Sequence, residues 1–252
     1  MDSGLRSLFA TAFWAAFLAG CGGGGSPGGP MSNATVAGSW HESLTSTGSG
    51  RKSTVDLYIL QNGTTLSSNR VALGATCSSN GTMSGSVSGD DVAMTITGIN
   101  GDTINVTGTV SENSSSMSGS YTIKTSGCDL SDDMGTLSAT LIPPVQSSSW
   151  SGTITSTRYP PNTDTFTANI REDNSGGLSG KLSFTGPYCS SVLTPSVSIS
   201  GSQTGALIGF SDTEADGIGI FGAINASAKS ISGLYGVSDC SGDNGTFTMN
   251  RP

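Results

Sequence analysis

Ser116-Met-Ser-Gly-Ser-Tyr-Thr-Ile123 runs on to Cys128 and then to Gly135-Thr136-Leu137. The same order returns as Ser230-Ile-Ser-Gly-Leu-Tyr-Gly-Val237, Cys240 and Gly245-Thr246-Phe247. A strand carrying Ser-Gly-x-Tyr, a cysteine, an acidic loop and a Gly-Thr strand start thus occur twice. Working outward, Ser39-Trp40 matches Ser149-Trp150 and Leu44-Thr-Ser-Thr47 matches Ile154-Thr-Ser-Thr157, both at an offset of 110. Val55, Leu57 and Ile59 match Phe166, Ala168 and Ile170, and Leu66-Ser67 matches Leu178-Ser179. Cys77 matches Cys189 at the same offset, 112, that relates Cys128 to Cys240. A shared order with drifting offsets is what duplication followed by loop insertions leaves behind.

Within each copy the apolar period is two. Val92, Met94 and Ile96 alternate with small or polar residues, as do Ile104 and Val106, and Leu137, Ala139 and Leu141. Copy two repeats the pattern through Leu178, Leu182 and Phe184, then Val197 and Ile199, Ile218, Ile220 and Ile224, and Ile231, Tyr235 and Val237. Alternation of this kind marks strands with one apolar face. Asn62-Gly63, Asn80-Gly81, Gly89-Asp90, Asn100-Gly101, Asp173-Asn174, Gly176-Gly177 and Asn244-Gly245 supply the turns. About eight short strands per copy predict an all-β chain of two tandem antiparallel up-and-down, calycin-like eight-stranded β-barrels, since closure removes exposed edges. A pair of small β-sandwiches is the alternative. Gly85, Gly119, Gly180 and Gly233 fall mid-strand. They either let strands bend at barrel corners or clear interior room for a ligand.

The five cysteines leave one odd thiol. Cys77 and Cys128 are separated by the same 51 positions as Cys189 and Cys240. Four cysteines allow three connectivities, and duplication favours one bridge inside each copy. Such a bridge would stabilise each domain by about 4 kcal/mol in the chain-entropy account. Metal binding is the weaker reading, because no CxxC and no neighbouring histidine is present.

Cys21 is explained by what precedes it. Leu8 to Leu18 is an apolar run after Arg6, too short for the roughly 20 residues of a membrane-spanning helix but suited to a secretory signal. It ends in Leu18-Ala19-Gly20-Cys21, which resembles the lipobox of bacterial lipoproteins. The resemblance implies a signal peptide over 1–20, acylation of Cys21, and anchoring in the bacterial cell envelope. By resemblance to enterobacterial lipoproteins, Gly22 after the cysteine implies the outer membrane. The Gly/Ser/Pro-rich residues 21–35 read as a flexible tether. The expected layout is then barrel copy one over 36–142, a linker over 143–148, and copy two over 149–252.

Chemistry is scarce. The formal charge is −8 with no Lys/Arg cluster, which argues against nucleic acid as a partner. His41 is the sole histidine, is replaced by Ser151 in copy two, and reads as a surface strand residue. Gly217-Ile-Gly-Ile-Phe-Gly222 matches GxGxxG but lies in strand-like surroundings with no helix to follow. Asp212-Thr-Glu-Ala-Asp-Gly217 opens like an EF-hand loop, yet Ala223 stands where the bidentate Glu is required. Asp129, Asp132 and Asp133 form an acidic cluster that Asp239 and Asp243 partly repeat. No cofactor, metal or catalytic residue is indicated, and the expectation is a non-enzyme.

Gly38-Ser39-Trp40 resembles the Gly-x-Trp opening of lipocalins and the similar opening of avidins, although Ser148-Ser149-Trp150 lacks the glycine. In lipocalins a late arginine packs on that tryptophan, a part open to Arg251 in copy two. The resemblance implies a carrier of a small apolar ligand, with Trp40, Tyr121, Trp150 and Tyr235 as candidate lining residues. The leading expectation is a lipid-anchored envelope protein whose barrels act as interaction modules toward an envelope or surface protein. Apolar-ligand carriage is the alternative, and a hydrolase is disfavoured.

Overall fold

The computed structural model describes residues 32–76, 78–125, 132–145, 148–158, 163–185, 196–213, 217–238 and 242–252. All five cysteines fall outside these residues, so acylation of Cys21 and both disulfides lie outside the described structure. The first eight strands are β1 (Gly38–Ser46), β2 (Lys52–Asn62), β3 (Thr65–Leu73), β4 (Asn80–Ser88), β5 (Asp91–Gly98), β6 (Thr103–Val110), β7 (Ser116–Lys124) and β8 (Asp133–Ile142). Each pairs antiparallel with the next, and β8 returns to β1 from Ser39↔Ile142 to Ser46↔Gly135. The second set is β9 (Ser148–Ser156), β10 (Thr163–Glu172), β11 (Gly177–Phe184), β12 (Ser196–Thr204), β13 (Leu207–Asp212), β14 (Ile218–Ile224), β15 (Ser230–Val237) and β16 (Asp243–Asn250). It closes in the same way, β16 onto β9. These are two tandem closed eight-stranded barrels. The sandwich alternative fails because every strand has a neighbour on both sides and no sheet edge is left over.

The period of two delivers the cores. Val92, Met94, Ile96, Ile104 and Val106 face inward and are buried, as are Val197, Ile199, Ile218, Ile220 and Ile224 in the second barrel. The mid-strand glycines sit where the neighbouring strand's backbone comes close. Gly119 pairs with Gly108 and Gly233 with Gly222. A Cβ on Gly119 would stand 2.1 Å from the Thr107 carbonyl oxygen, and one on Gly233 would stand 2.2 Å from that of Phe221. The space belongs to the neighbouring strand, which corrects the reading that these glycines clear room for a ligand.

Call the end at which β1 and β9 begin the lower mouth of each barrel. Residues 32–37 cross the first lower mouth as a strap. Ala34 N–H donates to Gly89 O at 2.8 Å, Val36 N–H donates to Gln61 Oε1 at 2.6 Å, and the Val36 side chain is fully buried. Val145 does the same for the second barrel: it is 1 % exposed, and its N–H donates to Glu172 Oε2 at 2.7 Å. Ile142 joins it in that core. The segment expected to be a linker thus supplies part of the second barrel's interior.

Candidate functional site

The four residues expected to line a ligand space are all inside, but the structure splits them between the two ends. Trp40 and Trp150 sit at the lower mouths. Trp40 Nε1–H donates to Val36 O at 2.8 Å, which fastens the plug. Trp150 Nε1 has no acceptor among the described residues, and the Arg251 guanidinium lies 6.0 Å from the ring centroid. The arginine-on-tryptophan contact expected in copy two is present.

Tyr121 and Tyr235 lie toward the upper mouths, where each belongs to a three-residue latch. Tyr121 donates to Asp133 Oδ2 at 2.9 Å, and Ser46 donates to Asp133 Oδ1 at 2.7 Å. Tyr235 donates to Asp243 Oδ2 at 2.8 Å, and Ser156 donates to Asp243 Oδ1 at 2.7 Å. Burial, aided by the Asp133 bond, pushes the Tyr121 phenol up to about 12, so it acts as a fixed donor. Burial alone would raise the Asp133 carboxyl, but the hydrogen bonds from Ser46, Tyr121 and the Met134 N–H outweigh it and hold it below its usual range. An ionised acceptor with two committed donors ties the barrel's closing seam to β7 and provides no activated nucleophile. Sequence reading saw the aspartates only as an acidic cluster. The signal was the common offset of 110 that relates Ser46 to Ser156 and Asp133 to Asp243.

The upper mouth of the first barrel carries a further clasp. Asp102, fully buried between β5 and β6, accepts from Ser78 N–H at 2.9 Å and Ser78 Oγ–H at 2.8 Å. Among the described residues no group of three His, Cys, Asp or Glu could hold a metal.

One interior position breaks the internal symmetry. Glu42 pairs with Val55 and Ala139, is fully buried, and neither carboxyl oxygen has a partner. Burial, with Asp56 adding to it, pushes its pKa to about 8, so the carboxyl is largely neutral at pH 7. The second barrel has Gly152 there, paired with Phe166 and Met249. A Cβ on Gly152 would meet the Phe166 ring at 2.6 Å. The aromatic ring in one barrel and the glutamate in the other therefore occupy the same layer.

The barrels meet through turns. Asp56 and Tyr58 point outward from β2 yet are buried. Asp56 Oδ1 accepts from Ala206 N–H at 2.7 Å, in the β12–β13 turn, and lies 2.9 Å from His41 Nδ1. Gly205, at φ +58°, packs so closely that a Cβ would stand 2.3 Å from Asp56 Oδ1. Gly176, at φ +75°, presses on the Tyr58 ring. His41 is a strand residue, 38 % exposed, whose ring also reaches the junction through Asp56. Beside the junction a cleft of about 950 Å³ opens between β3–β4 of the first barrel and the outer face of β12–β15.

No family model matches the chain, and no curated protein matches it. Among solved structures the chain is similar to a protein of unknown function from the DUF3598 family of Nostoc punctiforme. The two are 12 % identical, the match covers 86 % of this chain and 96 % of that one, and the TM-score is 0.31.

Proposed function

We propose that the protein is a membrane-anchored bacterial envelope lipoprotein whose barrels are non-catalytic binding modules that act through their outer surfaces. The supporting observation is how the described interiors are used. Apolar side chains from every strand point into each barrel and form one buried cluster there, Val36 and Val145 are buried at the lower mouths, and the Tyr–Asp–Ser latches tie the upper ends. Carriage of an apolar ligand inside the barrels would have to displace these groups. The open concavity is on the outside, between the barrels.

In this reading residues 1–20 are removed, Cys21 carries the acyl chains, and the Gly/Ser/Pro-rich stretch between Cys21 and the strap at 32–37 tethers the barrels to the outer membrane. Acyl chains at about 0.8 kcal/mol per buried CH₂ make a stable anchor when two or more are present. One bridge per barrel, Cys77–Cys128 and Cys189–Cys240, fits the strand layout. The β3–β4 and β7–β8 connections leave from one end of the first barrel, as β11–β12 and β15–β16 do in the second.

Metabolic labelling with palmitate and detergent-phase partitioning test the anchor. The expected result is label and detergent partitioning that both disappear in Cys21→Ser. Label that persists in Cys21→Ser would sink the lipoprotein reading. A screen with ester, peptide and glycoside substrates tests the non-catalytic part, which turnover abolished by one Ser or Asp substitution would overturn.

A further inference from the structure

The outward face of β13, β14 and β15 has diverged from its copy-one counterpart in one direction. The pairing rows superpose: Ala93↔Thr107↔Ser120 corresponds to Gly209↔Phe221↔Leu234, and Thr95↔Asn105↔Thr122 to Ser211↔Gly219↔Gly236. Copy one carries ordinary exposed strand residues there. Copy two replaces Asn105 and Thr122 with glycine and Thr107 and Ser120 with Phe and Leu. Glycine inside a strand weakens it, and large exposed apolar side chains invite association. Nothing lies within 4 Å of where a Cβ on Gly219 or Gly236 would stand, so these glycines serve no close packing. Phe221 is 60 % and Leu234 63 % exposed, side by side across the pair.

This bare floor with an apolar wall forms one side of the 950 Å³ cleft, a size suited to a small organic ligand. Arg70, on the facing barrel, is the sole charged residue of its lining among the described residues. Its Nη1 is buried without an acceptor, and among the described residues its guanidinium makes no ion pair. Glu172 and Asp173 sense its charge but do not reach it. In a chain of net charge −8, a cleft whose described lining holds one cation and no carboxylate is complementary to an anion attached to an apolar body.

We propose that the cleft binds a long-chain carboxylate, its acyl chain laid across Gly219 and Gly236 against Phe221 and Leu234 and its head on Arg70. The proposal rests on the outer-surface reading above and assigns that surface a ligand class. The test is fluorescence titration of the full chain carrying Cys21→Ser, free of detergent, with cis-parinaric acid and with its methyl ester. The acid should bind saturably at one site. Gly219→Asn with Gly236→Thr, which restores the copy-one residues, should weaken binding roughly tenfold or more by filling the floor. The same substitutions should leave the melting temperature unchanged or raise it, because each removes a glycine that weakens a strand interior and has open space for a side chain. Arg70→Gln should weaken the acid and leave the ester alone. Absence of saturable binding overturns the proposal, and so does binding that survives the floor substitutions. Equal loss of acid and ester in Arg70→Gln removes the assignment of the head. Turnover of the probe would instead strike the non-catalytic reading, and is detected separately by product analysis.

Discussion

Glu42 is where a single side chain governs how the protein responds to pH. Its folded pKa of about 8 lies above its ordinary 4.5. The carboxyl's contribution to stability is therefore fully present below about pH 4.5, declines as pH rises, and is lost above about pH 8. Asp56 on β2 is the charge that reinforces the shift. Chemical denaturation near pH 5 and pH 9 should differ by on the order of a few kcal/mol, and Glu42→Leu should abolish that difference. Glu42→Leu should also stabilise the protein by about 1–3 kcal/mol, since it removes a buried carboxyl without partners. The two latches rank themselves. Tyr235→Phe should cost more than Tyr121→Phe, because it abandons Asp243 at 1 % exposure whereas Asp133 is partly solvated. Both costs should be about 1 kcal/mol, read from the denaturation midpoint. Burial of the tyrosines was legible in the alternation of β7 and β15. Their partners were not, because Ser46 and Asp133 lie 87 positions apart, as do Ser156 and Asp243.

Strands carry the next set of consequences. Gly119→Ala and Gly233→Ala drive a methyl group against a neighbouring carbonyl oxygen, and each should lower stability by about 1–3 kcal/mol. Thermal melts of these variants beside Gly236→Thr, which has open space, would separate close-packed glycines from floor glycines; equal losses at all three would contradict the distinction. Strand number and facing were readable because turn pairs such as Asn62-Gly63 punctuate a clean period of two. Closure was not readable to the same degree. Alternation fixes which face is apolar, but a barrel differs from a sandwich by the Ser39↔Ile142 register, which joins the first strand to the eighth. The plugs were also hidden: Val36, at the first position of copy one, and Val145, in the expected linker, lie outside any periodic run, so nothing local marks either as part of a core.

At the scale of the whole molecule, the two barrels touch through a small junction. It rests on turn residues, Gly176 and Gly205, against Tyr58 and Asp56. Sequence reading saw only hairpin turns there, because a turn that docks and a turn that is solvated use the same residues. Gly205→Val would clash with Asp56 and the Trp40 carbonyl oxygen. It should split a single calorimetric transition into two, and expose residues 143–148 to limited proteolysis. One unchanged transition would mean that the coupling lies elsewhere.

The strap over the first barrel has a mechanical side. Any tension delivered from the N-terminal direction reaches Ser32–Val36 before it reaches a strand. The strap's hold, Ala34 to Gly89 and Val36 to Gln61, would bear that load first, and behind it stands β1, locked between β2 and β8. Withdrawal of Val36 would thus serve as a sacrificial yield point, releasing a few residues of strap while both barrels stay shut. A force-extension trace of the chain held at its two ends should show this small early release ahead of the larger rips of the barrels.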